Sequence, residues 1–547
     1  MFKTRTGQVK FPELEHDVLE FWKENQTFKK SLENRKGKDE FVIYDGPPFA
    51  TGLPHYGHLL AGTIKDVVPR YQTMLGKYCD RTFGWDCHGL PVEYEMEKQL
   101  HLSGKKQIED YGIAKFNEAC RSIVLRYTSE WESIVTRMGR WVDFRNGYRT
   151  MDAKYMESIW NVFKNLWDQG LIYEGYKILP YCARCSTPLS NFEANQGYKE
   201  VVDNAVTIRF KVVGEENTYI LAWTTTPWTL PSNMALAAGP DIDYVKVKDG
   251  DDFYILAEAR LGAYYKKDAM PEITVRYKGK DLLGMRYEPL FPYFLGEKAK
   301  GGYLVKGSEY QQVKEGFDFI ANGAYRVINA DYVSTEDGTG IVHTAPLFGE
   351  DDCIAGKANG VPGVCPIDAE CKFTSLIPEY EGMFVKDADK PIMERLKAEH
   401  KLVHRGTVRH SYPHCWRDDS PLIYKAVTTW FVSIEPIKAK MLAANEQMNW
   451  VPEHIKEGRF GKWLENARDW AISRNRYWGC PLPVWRNADT GETVCVGSIE
   501  ELEKLSGRKI TDIHKHFVDE ITLPGKNGTL DRKSTRLNSS HGYISYA

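Results

Sequence analysis

Apolar residues near the start recur at Phe11, Leu14, Val18, Phe21 and Trp22, the spacing of one helical face, so a charged lead-in helix that packs by that face is expected. The pattern then changes. Residues 41–44 (FVIY) form a short apolar run of the kind a buried strand makes, stopped by Asp45-Gly46-Pro47-Pro48. Helical spacing resumes near His55 and continues to about Met74, and Lys77 to Phe83 reads as a second strand ending at Gly84-Trp85-Asp86. Ile113, Phe116, Cys120, Ile123, Val124, Tyr127, Trp131, Ile134, Val135 and Met138 mark one long amphipathic helix. Strands alternating with helices predict an α/β domain on a parallel sheet with covered faces.

From about Tyr198 to His404 the texture becomes short alternating segments such as AVTIRFKVV and TYILAW, broken by Gly and Pro, which predicts a mostly β domain. After about residue 420 the α/β texture returns, with YKAVTTWFVSI as a strand and the stretch from Trp463 to Asn475 as helix and loop. A β block with similar flanks is an insertion. The expected domains are 1–197, 198–404 as the insertion, 405–532 as an incomplete return, and 533–547 as a tail. That tail, KSTRLNSSHGYISYA, has no periodicity and resembles translated adaptor sequence, so no order is expected there.

Composition narrows the class. With 547 residues, several domains are expected at about 150 residues each. Hydrophobic residues at 42% and aromatics at 13% exclude a largely disordered chain. The net charge of −3 offers no global positive field, so any nucleic acid must be met by local patches. No signal-like segment and no long uncharged apolar stretch is seen, which points to a cytoplasmic protein with no membrane partner. Eleven cysteines, an odd number thinly spread, suit a reduced compartment, and paired ones read first as metal ligands.

The loop DGPPFATGLPHYGH (45–58) places His55 and His58 three apart at the start of a helix, beside free backbone N–H groups and the positive end of the helix dipole. Phosphate is the natural ligand of such a place, and two imidazoles there can stabilise charge on a reacting phosphoryl group. Gly57 removes a side chain where a flat base would approach. Asp86, just past the end of a parallel strand, lies where open α/β sheets bind ligands.

HYGH preceded by GPPFATGLP resembles the HIGH signature of class I aminoacyl-tRNA synthetases, and GWDCHGLPVE (84–93) resembles the isoleucyl form of the next motif. The likeness runs over about residues 1–532. It implies a Rossmann-like parallel-sheet catalytic domain interrupted by a mostly β editing (connective peptide) domain. By that resemblance His55 and His58 contact the ATP phosphates, Gly57 lies under the adenine, Pro47 and Pro48 border the amino-acid pocket, and Asp86 holds the substrate ammonium. The implied reaction joins L-isoleucine to tRNA(Ile) through an adenylate, using ATP and Mg²⁺. Positioning and charge stabilisation do the work, and the chain is expected to act as a monomer.

Two clusters in the insertion resemble the family's editing domain: WTTTPWTLPSN (223–233) and GTGIVHTAPLFGEDD (338–352). The resemblance makes Thr224, Thr225, Thr226, Asn233 and His343 the lining of a hydrolytic pocket and Asp352 the partner of the α-ammonium of a mischarged amino acid. Hydroxyls and a histidine can position a water, and no serine nucleophile with a paired base is visible. Editing has a reason: one methylene separates isoleucine from valine, worth only ~1–3 kcal/mol in an apolar pocket, a magnitude established on isoleucyl enzymes themselves.

Cys182 and Cys185 form a CxxC before the insertion, and Cys415 follows it. Some isoleucyl enzymes resemble a four-thiolate zinc site built from two such knuckles, but here Asp418 stands at the fourth position. Three thiolates completed by Asp418 or by His414 remain chemically allowed for Zn²⁺. Arg474, Arg476, Trp478 and Trp485 in the return segment are expected either to meet the tRNA acceptor end or to pack. The family's KMSKS loop does not occur in this chain. The chain is therefore expected to be truncated and to make little adenylate by itself. Alternatives are a fragment retaining only hydrolase activity on mischarged tRNA, or a zinc-held RNA-binding module.

Overall fold

The computed structural model describes residues 8–49, 51–307, 309–313, 315–487, 489–526, 528–531 and 538–539. The chain divides into two compact units: 1–173 with 432–467 and 472–547, and 174–431 with 468–471.

The first unit carries the α/β part. Its extended segments touch in parallel through the bridges Glu40↔Tyr78, Phe49↔Asp86, Thr82↔Asp143 and Trp85↔Arg149. Residues 78–86 are thus flanked on both sides, and Asp86 sits at the end of this middle segment. Helix Tyr56–Met74 joins the first two segments, with His55 as its N-cap. Its outer face exposes Tyr56, Leu60, Ile64, Val67, Tyr71 and Met74 at three- and four-residue spacing. The lead-in forms two helices, Phe11–Glu24 and Thr27–Glu33, and the first buries none of its residues, so its apolar stripe packs only partly.

The long helix expected over 113–138 is instead two, Ile113–Ile123 and Thr128–Arg137, with a turn over 124–127. The Thr128 hydroxyl donates to the Leu125 carbonyl at 2.9 Å within that turn, a local bond that competes with helical pairing. The apolar stripe survives the break, because Phe116, Cys120, Val124, Trp131 and Val135 share one core with Phe83, Trp85 and Trp478.

Trp478 reaches that core because Glu93, fully buried, accepts from the backbone N–H of Tyr477 at 2.9 Å and of Trp478 at 2.6 Å. Arg476 pairs with Glu93 and, at 3.1 Å, with Glu97. Arg474, Arg476, Trp478 and Trp485 are all buried, so packing is their role in this structure. A smaller core around Met156, Trp160, Cys480 and Trp485 backs a four-stranded sheet in the order Thr493–Cys495, Val484–Arg486, Gly528–Asp531, Thr522–Gly525. The expected tail lies outside the described residues except Asn538–Ser539, which pair with Cys480–Pro481.

The second unit is built on a nine-stranded sheet. Arg326–Asn329, Ala235–Ala238, Ile341–Thr344, Thr218–Thr224, Asp252–Ala257, Asp243–Asp249 and Glu272–Lys278 follow in that order, and Tyr198–Lys211 and Leu402–Pro413 extend it from Thr218–Thr224. The unit is wider than the stretch 198–404 because Leu402–Pro413 pairs with Tyr198–Lys211 along its length, and Leu422–Val432 lies beside Ile172–Cys182. Its core joins Val206, Ile208, Phe210, Leu236, Tyr244, Tyr287, Ile328 and Leu396. Alternation puts Val206, Ile208 and Phe210 on one covered face of their strand, as the sequence texture predicts, while Leu396 enters the core from helix Asp389–Ala398. No helix among the described residues is long and apolar enough to cross a membrane.

Candidate functional site

Three groups of side chains have the chemistry of a site, one in the first unit and two in the second.

In the first unit, the start of helix Tyr56–Met74 is closed by the histidines themselves. Gly57 N–H donates to His55 Nδ1 at 3.1 Å, and His55 N–H donates to His58 Nδ1 at 3.2 Å. The rings stack with centroids 3.7 Å apart. Each Nδ1 is an acceptor, so each neutral ring carries its proton on Nε2. The loop thus presents two imidazole N–H donors at the positive end of a helix dipole. Burial, then His55 and Lys65, lower the affinity of His58 for a second proton, so it donates as a neutral ring. A Cβ at Gly57 would stand 3.0 Å from the His55 ring, a close approach that the ring would have to shift to admit.

Asp45 ties this loop down, pairing with Lys65 and, at 2.7 Å, with Arg140. Pro47 and Pro48 are half-buried, and the Pro48 carbonyl accepts from Asp86 N–H at 2.9 Å. The proline turn therefore runs directly beside Asp86. The Asp86 carboxylate is half-buried, with Thr150 Oγ1 and His88 N–H each 3.5 Å from Oδ1. Burial pushes its carboxyl up to about 7 against these hydrogen bonds. Trp131 links the two places: its ring is 5.0 Å from His58 and 6.0 Å from Trp85, and its Nε1 donates to the Gly52 carbonyl at 2.8 Å. Thr150 and Trp131 were not legible as site residues, since neither lies in a motif.

In the second unit, a hydrogen-bonded chain runs through the threonine run. Thr224 Oγ1 is 3.2 Å from Thr226 Oγ1, which is 3.1 Å from Thr229 Oγ1, and that hydroxyl is 3.0 Å from His343 Nε2. Thr225 lies half-buried on the bend between. Asn233 Nδ2 is 2.8 Å from His343 Nδ1, while Asn233 Oδ1 accepts from Tyr287 OH at 2.7 Å and Nδ2 also donates to the Ala235 carbonyl. The tyrosine and the carbonyl fix which end of the amide is nitrogen. His343 Nδ1 is then an acceptor and Nε2 carries the proton, aimed at Thr229. Burial drives its pKa down to about 3, so the ring is neutral.

Asp352 joins this group through the backbone, its Oδ2 accepting from Ala345 N–H at 2.9 Å and its Oδ1 from Tyr332 OH at 3.2 Å. Burial pushes its carboxyl up to about 6. Thr224, Thr226, Asn233, His343 and Asp352 are thus brought together. Sequence reasoning missed three partners. Thr229 follows Thr226 by three residues across Pro227, a spacing that was available as a signal. Tyr287 had none. Asp389 accepts from Trp228 N–H at 2.9 Å and is raised to about 7 by burial, and it too lies far away in sequence.

The third group is Cys182, Cys185, Cys415 and Asp418, whose ligand atoms all lie within 4.8 Å of one another. Asp418 Oδ2 is 3.3 Å from Cys182 Sγ and 3.0 Å from Cys185 Sγ. His414 is turned to the Tyr412 carbonyl, 3.0 Å from Nδ1, so Asp418 rather than His414 completes the set. Gly197 supports the hairpin that carries Cys415: it accepts from His414 N–H at 2.8 Å, and a Cβ there would stand 2.0 Å from the His414 carbonyl oxygen. A tetrahedral zinc with thiolates at 2.3 Å spaces its ligands by about 3.8 Å. The donors present fit such an ion.

Residues 17–539 match the family model for class I tRNA synthetases (I, L, M and V). The chain is 56% identical to isoleucine–tRNA ligase of Treponema denticola, over 98% of this chain and 50% of that protein. It is 56% identical to the Protochlamydia amoebophila ligase of the same name, over 95% and 48%. A solved structure, the ternary complex of Agrobacterium radiobacter K84 LeuRS with tRNA and LeuAMS, is 16% identical at a TM-score of 0.36, covering 96% of this chain and 57% of that one. The chain spans about half the length of the curated relatives it matches.

Proposed function

Since the chain belongs to the class I tRNA synthetases of the isoleucine, leucine, methionine and valine group, we propose that it carries the ATP and L-isoleucine sites of an isoleucine–tRNA ligase together with a hydrolytic site for valyl-tRNA(Ile). The observation that carries the first half is the pair of Nε2–H donors at the cap of helix Tyr56–Met74, beside a proline turn bonded to Asp86. In this reading His55 and His58 meet the ATP phosphates, Gly57 leaves room beneath the adenine, Pro47 and Pro48 border the amino acid, and Asp86 takes its ammonium. Attack of the isoleucine carboxylate on the α-phosphorus, with Mg²⁺ on the phosphates, gives the adenylate and pyrophosphate. The donors bind charge that grows as phosphorus becomes five-coordinate. The test is calorimetric binding of non-hydrolysable isoleucyl, leucyl and valyl adenylate analogues. Preference for the isoleucyl analogue is expected, and no discrimination among the three overturns the reading.

For the hydrolytic site, the hydrogen-bonded chain from Tyr287 to Thr224 favours water positioned by hydroxyls rather than proton abstraction by His343, because Asn233 already occupies Nδ1. Every partner in that chain lies in the second unit, so hydrolysis is expected whether or not adenylate formation is measured. His343→Gln, whose amide N–H reaches the same Thr229 hydroxyl, is expected to keep valyl-tRNA hydrolysis within about tenfold of the parent, whereas removal of a general base costs about 10²–10⁴. A loss in that larger range would return His343 to the role of base.

The cysteine group is proposed to hold one zinc ion in a structural role, by Cys182, Cys185, Cys415 and Asp418. Metal analysis of the purified chain is expected to find one zinc, and chelation is expected to lower the unfolding temperature. Cys415→Ser should release the ion and Asp418→Cys tighten it, since a fourth thiolate replaces a harder carboxylate. A chain that takes up no zinc when it is supplied speaks against the site.

A further inference from the structure

The return segment of the first unit brings buried titratable groups against the loop that follows Asp86. His88 and His514, 2% and 1% exposed, set their Nε2 atoms 2.9 Å apart. At that distance one nitrogen donates and the other accepts. Asp512 decides which. Its Oδ1 lies 2.5 Å from His514 Nδ1, and its Oδ2 accepts from Arg121 Nη2 at 2.7 Å. Against its burial, hydrogen bonding to His514 and the Arg121 charge hold the Asp512 carboxyl well below the usual range, so it is an acceptor and His514 Nδ1 bears a proton.

Burial opposes a second proton on His514 more strongly than Asp512 favours it. Arg121, whose Nη2 is 3.3 Å from Nδ1, and His516, in the helix Lys515–Val518 that His514 caps, add to that opposition, so the net effect lowers the His514 pKa. His516 is itself engaged by Glu118 at 2.9 Å and by Asn117 at 3.1 Å, both from helix Ile113–Ile123. Lys515 pairs with Asp519 on the same short helix, and Arg121 also pairs with Glu118 at 3.3 Å. His514 is therefore neutral, and its bare Nε2 accepts from His88 Nε2–H.

This pair grips the backbone next to Asp86. His88 N–H is the group 3.5 Å from Asp86 Oδ1. On one side of it the Cys87 carbonyl accepts from Trp478 Nε1 at 2.6 Å, and on the other Gly89 N–H donates to the Trp478 carbonyl at 3.1 Å. The Trp478 ring lies flat on His514, with centroids 4.5 Å apart and planes at 8°. Residues 87, 88 and 89 are thus each held by Trp478 or His514.

We infer that Asp512, His514 and His88 form a positioning chain for the amino-acid site, fixing the peptide after Asp86 and hence the direction in which its carboxylate meets the ammonium of isoleucine. The inference rests on the reading of Asp86 as the ammonium partner. His514 is a positioning residue, since it touches the reacting groups only through His88.

The test measures L-isoleucine binding to the whole chain by calorimetry for His514→Ala, His514→Gln and Asp86→Asn. Partners that orient metal-ligating histidines cost roughly ten- to a hundredfold when removed, and a weakening of about tenfold is expected for His514→Ala. His514→Gln should recover most of it, because Gln Oε1 accepts from His88 Nε2–H, while Asp86→Asn should weaken binding by about thirty-fold or more. Should His514→Ala fold poorly, nitrogen-15 spectra of the parent's histidines decide instead, with a protonated Nδ1 and bare Nε2 expected for His514 at pH 7. The inference is overturned if Asp86→Asn weakens binding while His514→Ala binds like the parent, if Ala and Gln lose affinity equally, or if His514 is protonated on Nε2. If the parent does not bind isoleucine, or Asp86→Asn binds as well as the parent, the amino-acid site itself is misplaced and the inference falls with it.

Discussion

Asp352→Ala is expected to slow hydrolysis of valyl-tRNA(Ile) by about thirty-fold to several thousand-fold, the equivalent of the ~2–5 kcal/mol that truncating one partner of a buried charge pair costs. Release of labelled valine from the charged tRNA measures it. The size follows from the site. The carboxylate is held by Ala345 N–H and Tyr332 OH in surroundings that raise its pKa to about 6, so the charge is poorly solvated before any ligand arrives and gains much from an ammonium. Asp352→Asn keeps the shape and the Ala345 hydrogen bond but not the charge. It should lose nearly as much activity, and a near-parental rate in it would remove Asp352 from ammonium recognition.

The pH dependence has a definite sign. Parental activity should rise as pH passes about 6, where Asp352 ionises, and the Asn variant should lack that rise. In the unfolded chain the same carboxyl ionises near 3.8, so between about 4 and 6 the folded state binds the extra proton. The contribution of this group to stability therefore increases as pH falls through that window. Above it, Asp352→Asn should unfold at a higher temperature than the parent. Here improved stability accompanies lost activity, a combination that simple misfolding does not produce.

Isoleucine binding should depend on pH through Asp86 in the same way but one unit higher. With the carboxyl at about 7 in the free protein, affinity should fall about tenfold per unit as pH is lowered below 7 and level off above it, because only the carboxylate pairs with the ammonium. Asp86→Asn should remove the dependence and weaken binding by about thirty-fold or more, again on the scale of a lost charge partner. Calorimetry from pH 5 to 8.5 distinguishes the outcomes, and a flat parental profile would assign the ammonium to another group. The midpoint should move below 7 when isoleucine is bound, since the ligand favours the ionised form.

Much of this was legible in the sequence because the signals are local. The cap at His55 needs only a Pro-stopped turn followed by helical spacing, and the structure begins the helix at Tyr56. The β texture over 198–404 is read from alternation, since successive side chains point to opposite faces and every second one, as with Val206, Ile208 and Phe210, joins one core. The cysteine group was visible as paired spacings on either side of the insertion. Where the reading departed, the cause was environment. The stripe over 113–138 is continuous in sequence, yet a side-chain-to-backbone bond at Thr128 divides the helix without disturbing the core it serves. For Arg476 the sequence left tRNA contact and packing both open, because the charge is the same on a surface or in a core, and its pairing with buried Glu93 and Glu97 decides for packing.

By itself, then, the sequence determined the family, the order of the elements, and which short motifs bear donors, carboxylates and thiols. Tertiary structure alone decided the protonation and direction of those groups. Burial keeps His343 neutral and Asn233, oriented by Tyr287, leaves its proton on Nε2, and His514 accepts from His88 across a separation of 426 residues. The physical reason is that a residue's identity sets what it can exchange. Desolvation and hydrogen-bond geometry, which belong to neighbours brought from far along the chain, set which exchange it makes.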